Sequence, residues 1–152
     1  MQGIDPTLDL AWEKEAPLVS GHRSALSAAR LQPVLRQIET ELERPLRVAD
    51  MAKAVDLSLF HFSREFRRVT GISPYAYIRR RRIARAGLLL AGSKLPIVEI
   101  AHVVGFKTHA HFSGAFLKNV GMTPRTYRLR YGPNGSPTAP ATPEREAALA
   151  TP

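Results

Sequence analysis

Between residues 52 and 127 the same string of signals occurs twice. Ala52 is matched by Ala101, Phe62 by Phe112, Ser63 by Ser113, Phe66 by Phe116, Gly71 by Gly121, Ser73-Pro74 by Thr123-Pro124, and Tyr77 by Tyr127. The offset is 49 at the first of these positions and 50 at the rest, so the second copy has one extra residue between its first and second helices. Eight positions in register, with glycine, Ser/Thr-Pro and tyrosine at fixed places, point to one supersecondary unit used twice. Such a chain must bury two similar small cores.

Apolar residues through this region recur at helical spacing and strand patterns are absent, so the predicted fold class is all-α with about seven helices. Helix 1 is expected over 31–43, with Leu31, Leu35, Ile38 and Leu42 on one face and Pro45 beyond its end. Helix 2 is expected over 47–55, with Met51, Ala52 and Val55 inward. Helix 3 spans 59–69, opened by Ser58 as N-cap and closed by Gly71. Helix 4 spans 74–91, with Ser73 as cap and Pro74 at the first helical position, where a missing N–H costs nothing. Helices 5, 6 and 7 are expected over 96–104, 109–119 and 124–130, with Thr108 and Thr123-Pro124 repeating the same opening signals. The segments 31–73 and 95–131 form two subdomains joined by the long linker helix 74–91.

Each copy is a short helix, a tight turn and a second helix with a polar, basic outer face, which is the anatomy of a helix-turn-helix. The first helix braces the second, and the second enters a major groove about 12 Å wide. Phe62 and Phe66, four apart, plug the second helix into the core and so fix which face looks out. That leaves Phe60, His61, Ser63 and Arg64 as base-facing candidates, with Arg67 and Arg68 beside them for phosphates. Arg64 has the fork geometry to pair with guanine O6 and N7. Exposed Phe60 is suited to a thymine methyl. In the second copy Phe112 and Phe116 are the plugs. His109, Ala110, His111, Ser113 and Gly114 then face outward, with Lys107 and Thr108 placed for phosphates. Tyr77 and Tyr127 read as packing residues.

Charge supports a polyanionic partner. From Arg44 to Tyr131 there are 17 Lys+Arg against 4 Asp+Glu, a net of +13 in a chain whose total is +9. Nucleic acid is the first candidate for such a field, and an anionic membrane would also respond to it. No run approaches the roughly 18 apolar residues of a membrane helix. There is no cysteine, which excludes disulfides, thiolate metal sites and a cysteine nucleophile, and fits a reducing compartment. Nucleophile elbow, P-loop, Gly-rich dinucleotide turn and zincin motif are all missing, and the basic segment has too few acids for a carboxylate-pair hydrolase. An enzyme is therefore not expected. No cofactor or metal is expected either: His109 and His111 lie two apart on a helix and do not face each other, and no carboxylate completes a site with His102. Arg79-Arg80-Arg81-Arg82 reads as a solvated helix face with one or two members near phosphates.

The segment from Leu31 to Arg130 resembles the DNA-binding domain of the AraC/XylS transcription regulators. The most specific stretch is Ile97-Val98-Glu99-Ile100-Ala101-His102-Val103-Val104-Gly105-Phe106, continued by His111-Phe112-Ser113, Phe116, Gly121-Met122-Thr123-Pro124 and Tyr127-Arg128. The first copy fits through Ser58 to Phe66, Gly71-Ile72-Ser73-Pro74 and Tyr77, and helix 4 through Arg82-Ile83, Ala86 and Leu89-Leu90. The resemblance implies two helix-turn-helix subdomains that read two successive major grooves of promoter or operator DNA, in a bacterial transcription regulator, with activation as the expected mode. Phe60, Ser63 and Arg64 would touch bases in the first groove and His109, Ala110, His111, Ser113 and position 114 would face the second. RNA polymerase is a further candidate partner. Effector and dimer contacts are expected in a domain not contained here, and the site of action in the cytoplasm, at the nucleoid.

Two departures from the family pattern matter. Asp56 stands where glycine is common in the first turn, and Asp tolerates left-handed backbone better than most residues. Gly114 stands where a long basic residue is usual, so the second unit is expected to read less sequence than the first. Residues 1–30 are expected to be a tag, a linker or the stub of another domain, and 132–152, rich in Pro, Ala, Thr and Gly, a disordered tail. The chain is then an excised C-terminal part or a short regulator. The competing readings are a basic module that binds any duplex or lipid alike, and a helical domain that binds only protein.

Overall fold

The structure, a computed structural model, describes residues 26–135; the readings for the first 25 residues and for 136–152 lie outside it. The described residues form seven α-helices and no strand: α1 Ala28–Thr40, α2 Val48–Ala54, α3 Leu59–Thr70, α4 Pro74–Gly92, α5 Ile97–Val103, α6 His109–Val120 and α7 Pro124–Tyr131.

Local chemistry sets most of these limits. The side-chain oxygens of Ser58, Ser73, Thr108 and Thr123 accept hydrogen bonds from the backbone N–H three residues on, satisfying a donor that the first turn leaves open. Gly71 and Gly121 end α3 and α6 in the left-handed region, at φ 79° and 80°.

Helix α1 differs from expectation. It starts at Ala28, capped by Ser27, rather than at Leu31, and ends at Thr40 rather than 43. The apolar stripe begins only at Leu31, and Pro33 is best tolerated in a first turn, so spacing alone favours the later start. Packing decides otherwise: Leu26, just ahead of the cap, is buried in the first core. Residues 26–30 therefore belong to the helical unit. Arg30 also ties α1 to α2, its guanidinium donating to the Val55 carbonyl oxygen.

There are two cores. The first collects Leu31, Val34, Ile38 and Leu42 with Val48, Met51, Ala52, Val55, Phe62 and Phe66. The second collects Ile100, Ala101, Val104 and Phe106 with Phe112, Phe116 and Tyr127. Helix α4 serves both. Its Tyr77 and Ile78 sit in the first core, and its Ile83, Ala86 and Leu90 in the second. Nineteen residues at 1.5 Å each give it about 28 Å, enough to span the two. The repeat extends to ring geometry. Phe66 meets Tyr77 edge-on at 5.5 Å and 79°, and Phe116 meets Tyr127 at 5.4 Å and 79°. Each tyrosine fastens the following helix, α4 or α7, onto the equivalent phenylalanine plug.

Candidate nucleic-acid interface

The turn between the two helices of each unit is built alike. In the first, Leu57 N–H donates to the Ala52 carbonyl at 3.0 Å and Asp56 takes φ 52°; in the second, Phe106 N–H donates to Ala101 at 2.9 Å and Gly105 takes φ 89°. Asp56 thus adopts the left-handed backbone that its position requires. Small Ala52 and Ala101, both buried, leave room for the helices to approach. The extra residue of the second copy lies between Phe106 and Thr108, which shifts the N-cap by one without disturbing the turn.

Anchored through Phe62 and Phe66, α3 presents Phe60, His61, Arg64, Arg67 and Arg68 to solvent. Phe60 is 72% exposed, unusual for a large apolar ring. His61 is turned back toward the cap, Nδ1 lying 3.0 Å from Ser58 Oγ. Ser63 is half-buried at the edge of this face rather than on its crest. Glu65, which spacing alone did not single out, is buried three residues after Phe62. Its Oε2 accepts from Arg68 Nε at 3.3 Å and Nη2 at 3.2 Å, and its Oε1 lies 4.0 Å from Arg64 Nε. Arg68 is therefore held along its own helix, whereas Arg67 is on the open surface.

The second unit places His109, Ala110, His111 and Gly114 on the exposed side of α6, with Ser113 half-buried and its Oγ 3.4 Å from His109 Nε2. His111 packs edge-on against Phe106, in the turn before α6, at 5.3 Å. Lys107 and Thr108 are exposed, and the Thr108 hydroxyl accepts from His111 N–H as the cap. A Cβ built on Gly114 would meet nothing within 4 Å, so no packing demand explains this glycine. Both α3 and α6 are thus surface elements, and the base-facing candidates fall on their open or edge positions.

The arginine run of α4 is not one solvated face. Arg79 and Arg80 are exposed, but Arg81 forms an ion pair with Glu39 at 2.6 Å and Arg85 with Glu43 at 3.2 Å. Arg82 turns inward and donates from Nε to the Leu42 carbonyl at 3.0 Å and from Nη2 to the Arg44 carbonyl at 2.9 Å. Burial holds its guanidinium pKa below the ordinary value. A side chain at Gly105 would collide with both Arg82 and the Leu42 carbonyl, so glycine there serves contact between the units as well as the turn. Arg81, Arg82 and Arg85 thus hold α4 against α1 and the loop after it, an outcome of tertiary packing rather than of the run of charges.

These features define an all-α module of two helix-turn-helix units sharing a linker helix, with no helix among the described residues long and apolar enough to cross a membrane. A family model described as a helix-turn-helix domain matches residues 51–130. The HTH-type transcriptional regulator GlxA of Rhizobium meliloti is 40% identical over 102 residues, covering 67% of this chain and 32% of that protein. Among solved structures, a transcriptional regulator with an AraC-type DNA-binding domain from Chromobacterium violaceum is 30% identical with a TM-score of 0.64, covering 70% of this chain and 96% of that one. The DNA-binding domain of AdpA, solved in complex with a target DNA, is 28% identical with a TM-score of 0.64, covering 69% and 94%. The chain belongs to the AraC-type helix-turn-helix family of transcriptional regulators. It spans about a third of the length of the curated relatives it matches.

Proposed function

We propose that the chain binds double-stranded DNA sequence-specifically, with α3 and α6 in successive major grooves of a bacterial promoter or operator. The observation that carries this reading is the duplicated anchoring. Phe62/Phe66 and Phe112/Phe116 fix the rotation of the two helices in the same way, and each leaves a polar face in solvent. The AdpA domain, similar over 69% of this chain, was solved on a target DNA, which supports the partner.

In this reading Phe60, His61, Ser63 and Arg64 face bases in the first groove, with Arg64 the principal reader. His109, Ala110, His111, Ser113 and Gly114 face the second, where information is lower. Arg67, Lys107 and Thr108 approach phosphates, and Arg68 contributes less because Glu65 engages it. The place of work is the bacterial cytoplasm, and ligand sensing belongs to other parts of a full regulator.

Selection from a random duplex library tests the reading. It expects two sequence-preferring patches about 10 bp apart on one face of the duplex. Arg64→Ala should then cost roughly 1–3 kcal/mol and relax one base position, whereas Arg67→Ala should weaken all sequences alike. Equal affinity for every duplex would instead identify a non-specific basic module.

A further inference from the structure

Between the two units lies a cleft of about 660 Å³. Its rim brings together side chains from separate elements: Arg47 at the N-cap of α2, Arg79 on α4, Lys107 in the second turn and His111 on α6. All four are exposed, and Arg47, Arg79 and Lys107 are engaged by no carboxylate among the described residues. The one acid in its wall, Glu43, is paired with Arg85 at 3.2 Å. Arg82 closes the back of the cleft, held by the Leu42 and Arg44 carbonyls. The floor is apolar, formed by Leu46, Ile78 and Phe106, and Tyr75 stands exposed at the edge.

We propose that this cleft is a third DNA contact, a seat for the sugar–phosphate backbone running between the two major-groove segments. The inference rests on the DNA-binding reading above and deepens it. Three cations around an apolar floor match a chain of alternating phosphates and deoxyriboses, whose sugar faces can pack on Tyr75 while the charges meet the rim. His111 links the cleft to the recognition surface, because it belongs both to the exposed side of α6 and to the cleft wall. A duplex engaging α6 must therefore pass close to the mouth. Because the cations come from both units and from the linker helix, this contact depends on the relative placement of the units, which Arg82 and Gly105 hold.

The test uses the whole chain and a duplex carrying its selected sequence. Single methylphosphonates, which remove the charge of one linkage, are placed in turn across the segment between the two protected patches. Binding should fall roughly three- to tenfold at one or two of these linkages, and Arg79→Ala should lower the salt slope by about 0.9, the value for one phosphate no longer neutralised. On Arg79→Ala protein the same methylphosphonate should then have little further effect, and Arg79→Lys should restore part of the sensitivity. Indifference of the wild-type protein to every central linkage overturns the cleft proposal while leaving the two recognition helices in place. So does an Arg79→Ala protein with unchanged slope or undiminished sensitivity. Failure to bind any duplex overturns the DNA reading itself, and the cleft with it.

Discussion

Arg82 Nε donates to the Leu42 carbonyl oxygen across 40 residues of chain, at 3.0 Å. The acceptor lies just beyond α1, where chain ends leave carbonyls without helical partners, and the second bond from Nη2 to Arg44 closes the same gap. One side chain of the linker helix thus finishes the C-terminal end of the first helix and presses against the turn of the second unit. Arg82→Ala strips both carbonyls of a charged donor and should lower unfolding free energy by about 1–3 kcal/mol. Arg82→Lys should recover only part, because an ammonium lacks the fixed fork. Urea denaturation with an unchanged m-value is the measurement, and an unaltered midpoint for Arg82→Ala would refute the role.

Gly114 occupies the middle of α6 with open space around its missing side chain. Gly114→Ala should raise stability by up to about 1 kcal/mol, the propensity difference in a helix interior. Gly114→Arg should keep most of that gain and add base preference in the second half-site. Thermal unfolding checks the first expectation and duplex selection the second. A destabilised Gly114→Ala would mean that this glycine answers a packing demand after all.

Glu65 withholds Arg68 from solution partners through its bonds at 3.2 and 3.3 Å. Glu65→Gln keeps the shape and removes the negative charge, leaving Arg68 available to phosphates. Non-specific affinity should rise, and the slope of log K against log salt should steepen by about 0.9. Anisotropy titrations on random-sequence DNA across a salt series decide it; an unchanged slope would show that Arg68 reaches DNA despite Glu65, or never does.

Tyr127 has its pKa raised above 10.0, first by burial and further by the neighbouring Tyr131. Above pH 10 the unfolded chain releases this proton while the folded one retains it, so stability must fall as pH rises through that range. The contribution is fully present below the unfolded value. Tyr127→Phe should flatten part of the alkaline decline relative to wild type, read from denaturation midpoints between about pH 9 and 11. Parallel curves for the two proteins would count against a buried phenol here.

Much of the fold was legible because the repeat places its strongest signals at element ends. Six of the seven helices begin and end within one residue of expectation, and for α3, α4, α6 and α7 a capping hydroxyl, a proline at the first position or a left-handed glycine acts within one turn of backbone. The exception, α1, also carries a capping hydroxyl, Ser27, whose oxygen accepts from the Arg30 N–H, but its apolar stripe begins only at Leu31. Its start at Ala28 joins that local cap to the burial of Leu26 just ahead of it, and the burial is a tertiary contact that spacing does not report. Among site residues, the outward set followed from the four-residue spacing of the phenylalanines. Glu65 was legible in principle, three positions after Phe62, but its hold on Arg68 required the side chains in place.

By itself the sequence determined six of the seven helices, the duplicated unit and the sides on which the phenylalanine plugs lie, because each depends on contacts within a few residues. Only tertiary structure decided how four consecutive arginines divide their roles. Arg79 and Arg80 stay in water while Arg81 and Arg82 are drawn to Glu39 and to two stranded carbonyls about forty residues away. The physical reason is one of range: helical periodicity reports which face a residue occupies, but the partner waiting on that face is set by where distant segments come to rest.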